Sequence, residues 1–63
     1  MEEKIRYITE KEASSITGLA LPTLRNHRFC RTGIPYSKLG RSVRYLLADV
    51  LEFCEARRII TNN

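Results

Sequence analysis

Three glycines and two prolines divide this chain of 63 residues into short segments and so restrict it to short helices and strands. They are Gly18, Pro22, Gly33, Pro35 and Gly40. Glycine readily adopts the left-handed backbone that ends helices and closes hairpins, whereas proline is tolerated in first helical turns and in loops. A length of 63 residues is enough for one domain, which is expected to comprise residues 1–63 with a core over about residues 6–58.

The residues Thr9-Glu10-Lys11-Glu12 have the capping-box pattern that begins a helix. The Thr9 hydroxyl can accept from the Glu12 amide while the Glu12 carboxylate accepts from the Thr9 amide. This predicts a first helix from about Glu10 to Ile16, ended by the left-handed conformation available to Gly18.

A second helix is predicted to begin near Leu21. Pro22 then lies in its first turn, where the missing amide costs little because those amides have no partner within the helix. Leu24 is expected to face the core, and the helix to end between Phe29 and Arg31. Residues 32–35 contain a glycine and a proline and are predicted to form a turn.

The segments 36–39 and 42–46 flank Gly40-Arg41 and alternate in character, which indicates a two-stranded β-hairpin. Its apolar and aromatic residues are Tyr36, Leu39, Val43 and Tyr45. A third helix is predicted from about Leu47 to Arg58. Its apolar stripe is Val50, Leu51, Phe53 and Cys54. Residues 6–8 are interpreted as an apolar lead-in to the first helix.

The charges are distributed unevenly along the chain, whose net charge is +4. All seven acids lie towards the two ends, and none occurs between Ala13 and Ala48. That stretch contains Arg25, Arg28, Arg31, Lys38, Arg41 and Arg44. The distribution favours a positive face that binds a polyanion, and the alternative is a solvated basic surface without a ligand.

Several functional classes are disfavoured. Cys30 and Cys54 are interpreted as reduced packing residues, and with His27 they are too few ligands for zinc, so neither a metal nor a cofactor is expected. No nucleophile or phosphate-loop motif is present, which predicts a protein that is not an enzyme and has no small-molecule substrate. No apolar run approaches the roughly 20 residues that span a bilayer, and Met1–Lys4 does not begin a signal peptide, so a cytoplasmic location is expected.

A short helix, a glycine turn and a second helix bearing Arg25 and Asn26 have the order of a helix-turn-helix. In such a unit the second helix enters the major groove, where arginine can read guanine and asparagine can read adenine. The basic hairpin that follows would be a wing that reaches phosphates or the minor groove. The expected class is thus α+β, a small winged helix-turn-helix, although Arg25 and Asn26 could be ordinary solvent-facing residues, and Arg41 or Arg44 could pair with an acid.

The chain resembles the excisionase/AlpA-type helix-turn-helix family, small winged relatives of the MerR DNA-binding domain, over about residues 6–58. The residues that carry the resemblance are Tyr7-Ile8-Thr9, Glu12-Ala13, Thr17-Gly18-Leu19, Thr23-Leu24-Arg25-Asn26, Thr32-Gly33-Ile34-Pro35-Tyr36, Lys38-Leu39-Gly40-Arg41, Val43-Arg44-Tyr45 and Asp49-Val50. The segment from Thr32 to Tyr45 is the most specific part, because its glycines, aromatic and basic residues agree in order and spacing.

The resemblance implies a bacterial or phage protein, associated with the nucleoid, that binds double-stranded DNA. It implies either a recombination directionality factor of a mobile element or a transcriptional regulator, with a recombinase or further copies of the chain as partners on DNA. The residues that would contact DNA are Thr23, Arg25, Asn26 and Arg28 on the second helix, and Lys38, Arg41, Ser42 and Arg44 on the wing.

The chain departs from the family pattern at three positions. Ala20 replaces the usual Ser or Thr cap, which should weaken the start of the second helix. Ser14 replaces an alanine, and His27 replaces an aromatic residue, often Trp. We expect His27 to be half-buried and Phe29 to fill part of the missing aromatic volume.

Two other functions are compatible with the sequence. A basic RNA-binding module would share the charge, but A-form RNA hides its major groove from a recognition helix. A small protein-interaction adaptor would depend on exposed apolar surface, and its binding would change little with salt.

Overall fold

The computed structural model describes residues 5–60, so the interpretation of Met1–Lys4 lies outside the described residues. Within this range the chain forms three helices and three short strands. In chain order these are β1 (Tyr7–Ile8), α1 (Glu10–Thr17), α2 (Leu21–Phe29), β2 (Ser37–Leu39), β3 (Ser42–Leu46) and α3 (Leu47–Ala56). The fold is a small, compact α+β domain, and the predicted elements are confirmed to within one or two residues at their ends.

The predicted two-stranded sheet was one strand short. Residues 7–8, interpreted as a lead-in, form β1 and pair antiparallel with β3, so the strand order is β1-β3-β2. The Arg6 carbonyl accepts from the Leu47 amide at 2.8 Å, which gives the first amide of α3 a partner where Leu46 supplies no side-chain cap. Two residues are too few to show a strand pattern, and their partner lies far along the chain, so the sequence did not reveal the pairing.

Helix α1 begins as the sequence predicts. The Thr9 hydroxyl accepts from the Glu12 amide at 3.1 Å, and Glu12 Oε1 accepts from the Thr9 amide at 2.9 Å, which confirms the capping box. Gly18 follows with φ +80°, and its amide donates to the Ser14 carbonyl. One amide donor at the start of the helix and one carbonyl near its end are therefore satisfied locally.

Helix α2 begins without a side-chain cap at Ala20, as expected from the missing hydroxyl. His27 is half-buried, which confirms its interpretation as a packing residue. The expectation for Phe29 is wrong, because its side chain is 88% exposed and fills no core volume. Phe29 is the last residue of α2, and its ring is not among the residues that pack against the core.

The core contains side chains from every helix, from β1 and β3, and from the loop before β2. Its buried members are Ile8, Ala13, Leu24, Ile34, Tyr45 and Val50. Val43 and Phe53 pack against it, as predicted, whereas Leu39 and Leu51 are more than half exposed and do not belong to it. Strand β2 lies at the edge of the sheet, and α3 turns only one face towards the core. Only some of the apolar residues predicted for the hairpin and for α3 can therefore reach the interior. None of the described helices is both long and apolar enough to cross a membrane.

Candidate nucleic-acid interface

A hydrogen-bonded turn joins α1 to α2. The Ser14 hydroxyl donates to the Leu19 carbonyl at 2.6 Å, and the Leu19 amide donates to the Thr17 hydroxyl at 3.1 Å. Ser14 therefore supplies a hydrogen bond that alanine at this position could not make. Leu24 is buried in the core and so fixes which face of α2 is turned outward.

The outward face of α2 presents the two residues that were predicted to read bases. Arg25 and Asn26 are exposed, and Thr23 on the same helix is half-buried. The side-chain oxygen of Asn26 accepts only from the Cys30 thiol, at a long 4.0 Å, and its side-chain nitrogen has no partner within residues 5–60. A side-chain amide in this state can form a pair of hydrogen bonds with a base edge.

Glu10 joins the start of α1 to α2 through two arginines. Arg25 Nη2 lies 2.7 Å from Glu10 Oε2, and Arg28 Nη2 lies 3.2 Å from Glu10 Oε1. The hydrogen bond from Arg25, aided by the one from Arg28, lowers the pKa of the Glu10 carboxyl below its usual value, although partial burial opposes the shift. Glu10 therefore remains a carboxylate and restrains both guanidinium groups.

Arg28 is turned towards the interior. Its Nη1 donates to the Tyr45 hydroxyl at 2.7 Å, and its guanidinium lies 5.7 Å from the Tyr36 ring centroid and 6.0 Å from that of Tyr45. The side chain is only 15% exposed. Among the residues predicted to contact DNA, Arg28 is thus the one most occupied by bonds within the protein, and its main contacts join elements of the fold.

The hairpin carries the other predicted contacts. Leu39 pairs with Ser42, so Gly40 and Arg41 form a two-residue connection, and Gly40 has φ +66° as such turns require. Lys38, Arg41 and Ser42 are exposed. Arg44 is half-buried and donates to the Val43 carbonyl at 2.9 Å.

Basic side chains from three elements line one open cleft between α1 and the hairpin, which we call the basic cleft. Its volume is about 440 Å³, and its lining residues are Thr9, Glu10, Lys11, Arg28, Arg41, Val43 and Arg44. The structure therefore brings together three of the predicted residues, Arg28, Arg41 and Arg44. The other five, which do not line it, are Thr23, Arg25, Asn26, Lys38 and Ser42.

Sequence reasoning missed Lys11 and Glu10 as members of this region. Both lie in the first turn of α1, where the capping box was the only signal considered. The charge pattern drew attention to the acid-free middle of the chain, and these two residues precede it. A lysine facing the hairpin could have been suspected only from the packing of α1 against the sheet.

The described residues contain no group of three or more His, Cys, Asp or Glu side chains placed to hold a metal ion. Cys30 is exposed and Cys54 half-buried, and both are free thiols. The resemblance to the excisionase/AlpA-type family is a prediction from motif residues alone. No protein-family model matches this chain, and no curated protein is significantly similar to it.

Proposed function

We propose that this protein binds double-stranded DNA in a sequence-specific manner as a winged helix-turn-helix domain. Helices α1 and α2 are the helix-turn-helix, α2 enters the major groove, and the β2–β3 hairpin is the wing. The proposal includes no catalytic step.

The observation that carries the proposal is the basic cleft. Arg28 comes from α2, and Arg41 and Arg44 come from the hairpin, yet all three line the same surface. A recognition helix and a wing must meet the same stretch of duplex, so their cations have to lie on one side of the protein. The exposed Arg25 and Asn26 on α2 add groups whose geometry suits base edges.

The regulatory role is proposed from the resemblance in residues 32–45. We infer a site in a phage or other mobile element, at which the protein acts either as a recombination directionality factor beside a recombinase or as a transcriptional regulator. A recombination assay with the recombinase of the same element, with and without the protein, tests the first of these roles.

The experiment that tests DNA binding compares Asn26→Ala with Arg41→Ala. Each variant is titrated on a selected site and on a scrambled duplex, at two salt concentrations. Asn26→Ala should cost about 1–3 kcal/mol on the selected site and little on scrambled DNA, because it loses a base contact. Arg41→Ala should weaken both by similar factors and reduce the salt slope by about one unit, because it loses a phosphate contact.

The outcome has three alternatives. If the wild-type protein shows a salt slope near zero instead of the expected value of about −3 to −6, the electrostatic basis of the proposal is wrong. If Asn26→Ala weakens binding to both duplexes equally while Arg41→Ala weakens binding only to the selected site, the roles of helix and hairpin are reversed. If duplex RNA competes as well as duplex DNA, an RNA-binding function replaces the one proposed.

A further inference from the structure

We propose that the basic cleft is a seat for one phosphodiester group of the DNA backbone, and that Lys11 of α1 is one of the residues that hold it. This inference rests on the proposed function and adds a contact from a helix to which no DNA-binding residue was assigned. It identifies the cleft between α1 and the hairpin as the place where the backbone crosses the protein.

The charges in the cleft are not balanced within the protein. Four cationic side chains line it, Lys11, Arg28, Arg41 and Arg44, against the single carboxylate of Glu10. That carboxylate is engaged by Arg25 and Arg28. Within residues 5–60 neither Lys11 nor Arg41 has an ion-pair partner, so their charges are available to an external anion.

The hydrogen-bonding capacity of the lining also suits an oxyanion. Arg28 is held in place by Tyr45 and Glu10, and Arg44 by the Val43 carbonyl, so two guanidinium groups are ordered before a ligand arrives. Ordered donors bind phosphate at a smaller entropic cost than mobile ones do. Lys11 and Arg41 lie on α1 and on the hairpin turn, and so approach the cleft from two different elements.

The cationic side chains of the lining favour an anionic group over a neutral nucleobase or an apolar peptide side chain. Val43 is the single apolar residue among the seven that line the cleft. The Tyr45 ring is buried in the core, and the exposed Tyr36 ring lies 5.7 Å from the Arg28 guanidinium. A phosphodiester presents anionic oxygens, which match the cationic groups of the cleft.

The test uses the full-length protein with Lys11→Gln, and Arg58→Gln as the matched control. Both changes remove one exposed positive charge, but Arg58 lies just beyond α3, beside Glu55 and outside the cleft. Circular dichroism first establishes that both variants are folded. Affinities are then measured on the selected site, on a scrambled duplex, and on a set of duplexes with a neutral methylphosphonate at each phosphate in turn.

We expect Lys11→Gln to weaken both duplexes by about fivefold to tenfold, the range for one lost charge-assisted contact, and Arg58→Gln by less than about twofold. A methylphosphonate at one position should weaken DNA binding by the wild type by a similar factor. It should have little further effect on binding by Lys11→Gln, because the lysine charge and that phosphate charge interact with each other. The phosphate seat is wrong, while DNA binding itself stands, if Lys11→Gln binds every duplex as tightly as the wild type does. It is also wrong if the affinity lost through Lys11→Gln adds in full to the affinity lost through each methylphosphonate. If the wild type binds no duplex, the proposed function and the seat both fail.

Discussion

Arg28 and Tyr45, 17 positions apart and on different elements, are joined by a hydrogen bond of 2.7 Å from the guanidinium to the phenol oxygen. The same guanidinium reaches Glu10 at 3.2 Å, so one side chain connects α2 with β3 and with the first turn of α1. Tyr45 is among the largest fully buried side chains, and its hydroxyl is satisfied by this donor. The orientation of α2 relative to the hairpin therefore depends on a polar contact as well as on apolar packing.

Tyr45→Phe should lower the free energy of unfolding by about 1 kcal/mol, because it removes one hydrogen bond and leaves the Arg28 Nη1 donor without its acceptor. Urea denaturation at neutral pH measures the change. Tyr7→Phe is the control, since Tyr7 is exposed on β1 and its hydroxyl has no hydrogen-bond partner within the described range. Equal stabilities for the two variants would show that the Arg28–Tyr45 bond contributes nothing.

Gly33→Ala should destabilise the protein more than Gly18→Ala does. Both glycines have φ +80°, which costs a non-glycine residue about 1–2 kcal/mol. A Cβ at Gly18 would meet nothing within 4 Å, whereas one at Gly33 would lie 2.7 Å from His27 Nδ1. Gly33→Ala should therefore cost about a further 1–3 kcal/mol from overpacking.

Thermal or urea unfolding of both glycine variants checks this difference. Adding His27→Ala to Gly33→Ala should recover part of the additional loss, because the imidazole ring is then removed while the Cβ of residue 27, 2.9 Å from the added Cβ, stays in place. The explanation is wrong if the double variant shows the full sum of the two single losses.

Glu10→Gln should increase the affinity for scrambled DNA by about fivefold at low salt, since a carboxylate near the phosphates costs about 1 kcal/mol even in water. Its preference for the selected site should fall, because Arg25 loses the charged partner that orients it. Titrations on both duplexes measure the ratio. Glu55→Gln removes an exposed carboxylate paired with Arg58, far from α2 in sequence, and should change neither affinity.

Acidification should destabilise the protein through the two carboxylates of the first turn of α1. Arg25 lowers the pKa of Glu10, and the Thr9 amide lowers that of Glu12, both relative to an unfolded value of 4.5. Their contribution is fully present above that value and is lost as the pH falls through the lower pKa of the folded state. The midpoint of thermal unfolding, measured from neutral pH downwards, should therefore fall below about pH 4.5.

The variants Glu10→Gln and Glu12→Gln should each flatten this acid dependence. Glu52→Gln should leave it unchanged, since that carboxylate has no hydrogen bond or ion pair within the range that the structure describes. An acid transition that is identical in all four proteins would contradict the assignment to the α1 contacts.

Local sequence determined where most elements begin and end. The capping box, the left-handed Gly18 and the two-residue turn at Gly40 each depend on groups within about five positions of one another, so residue types alone predict them. The acid-free middle of the chain likewise predicted that a basic surface would form.

Tertiary structure decided which of those residues face one another. The pairing of β1 with β3, the inward turn of Arg28 towards Tyr45 and the approach of Lys11 to the hairpin all join segments that are far apart in the chain. No spacing rule within one segment encodes such contacts, because they depend on how the helices are oriented when Leu24 and Val50 enter the common core. Phe29 shows the same limit, since an apolar residue at a helix end is buried only if another element lies opposite it, and here none does within residues 5–60.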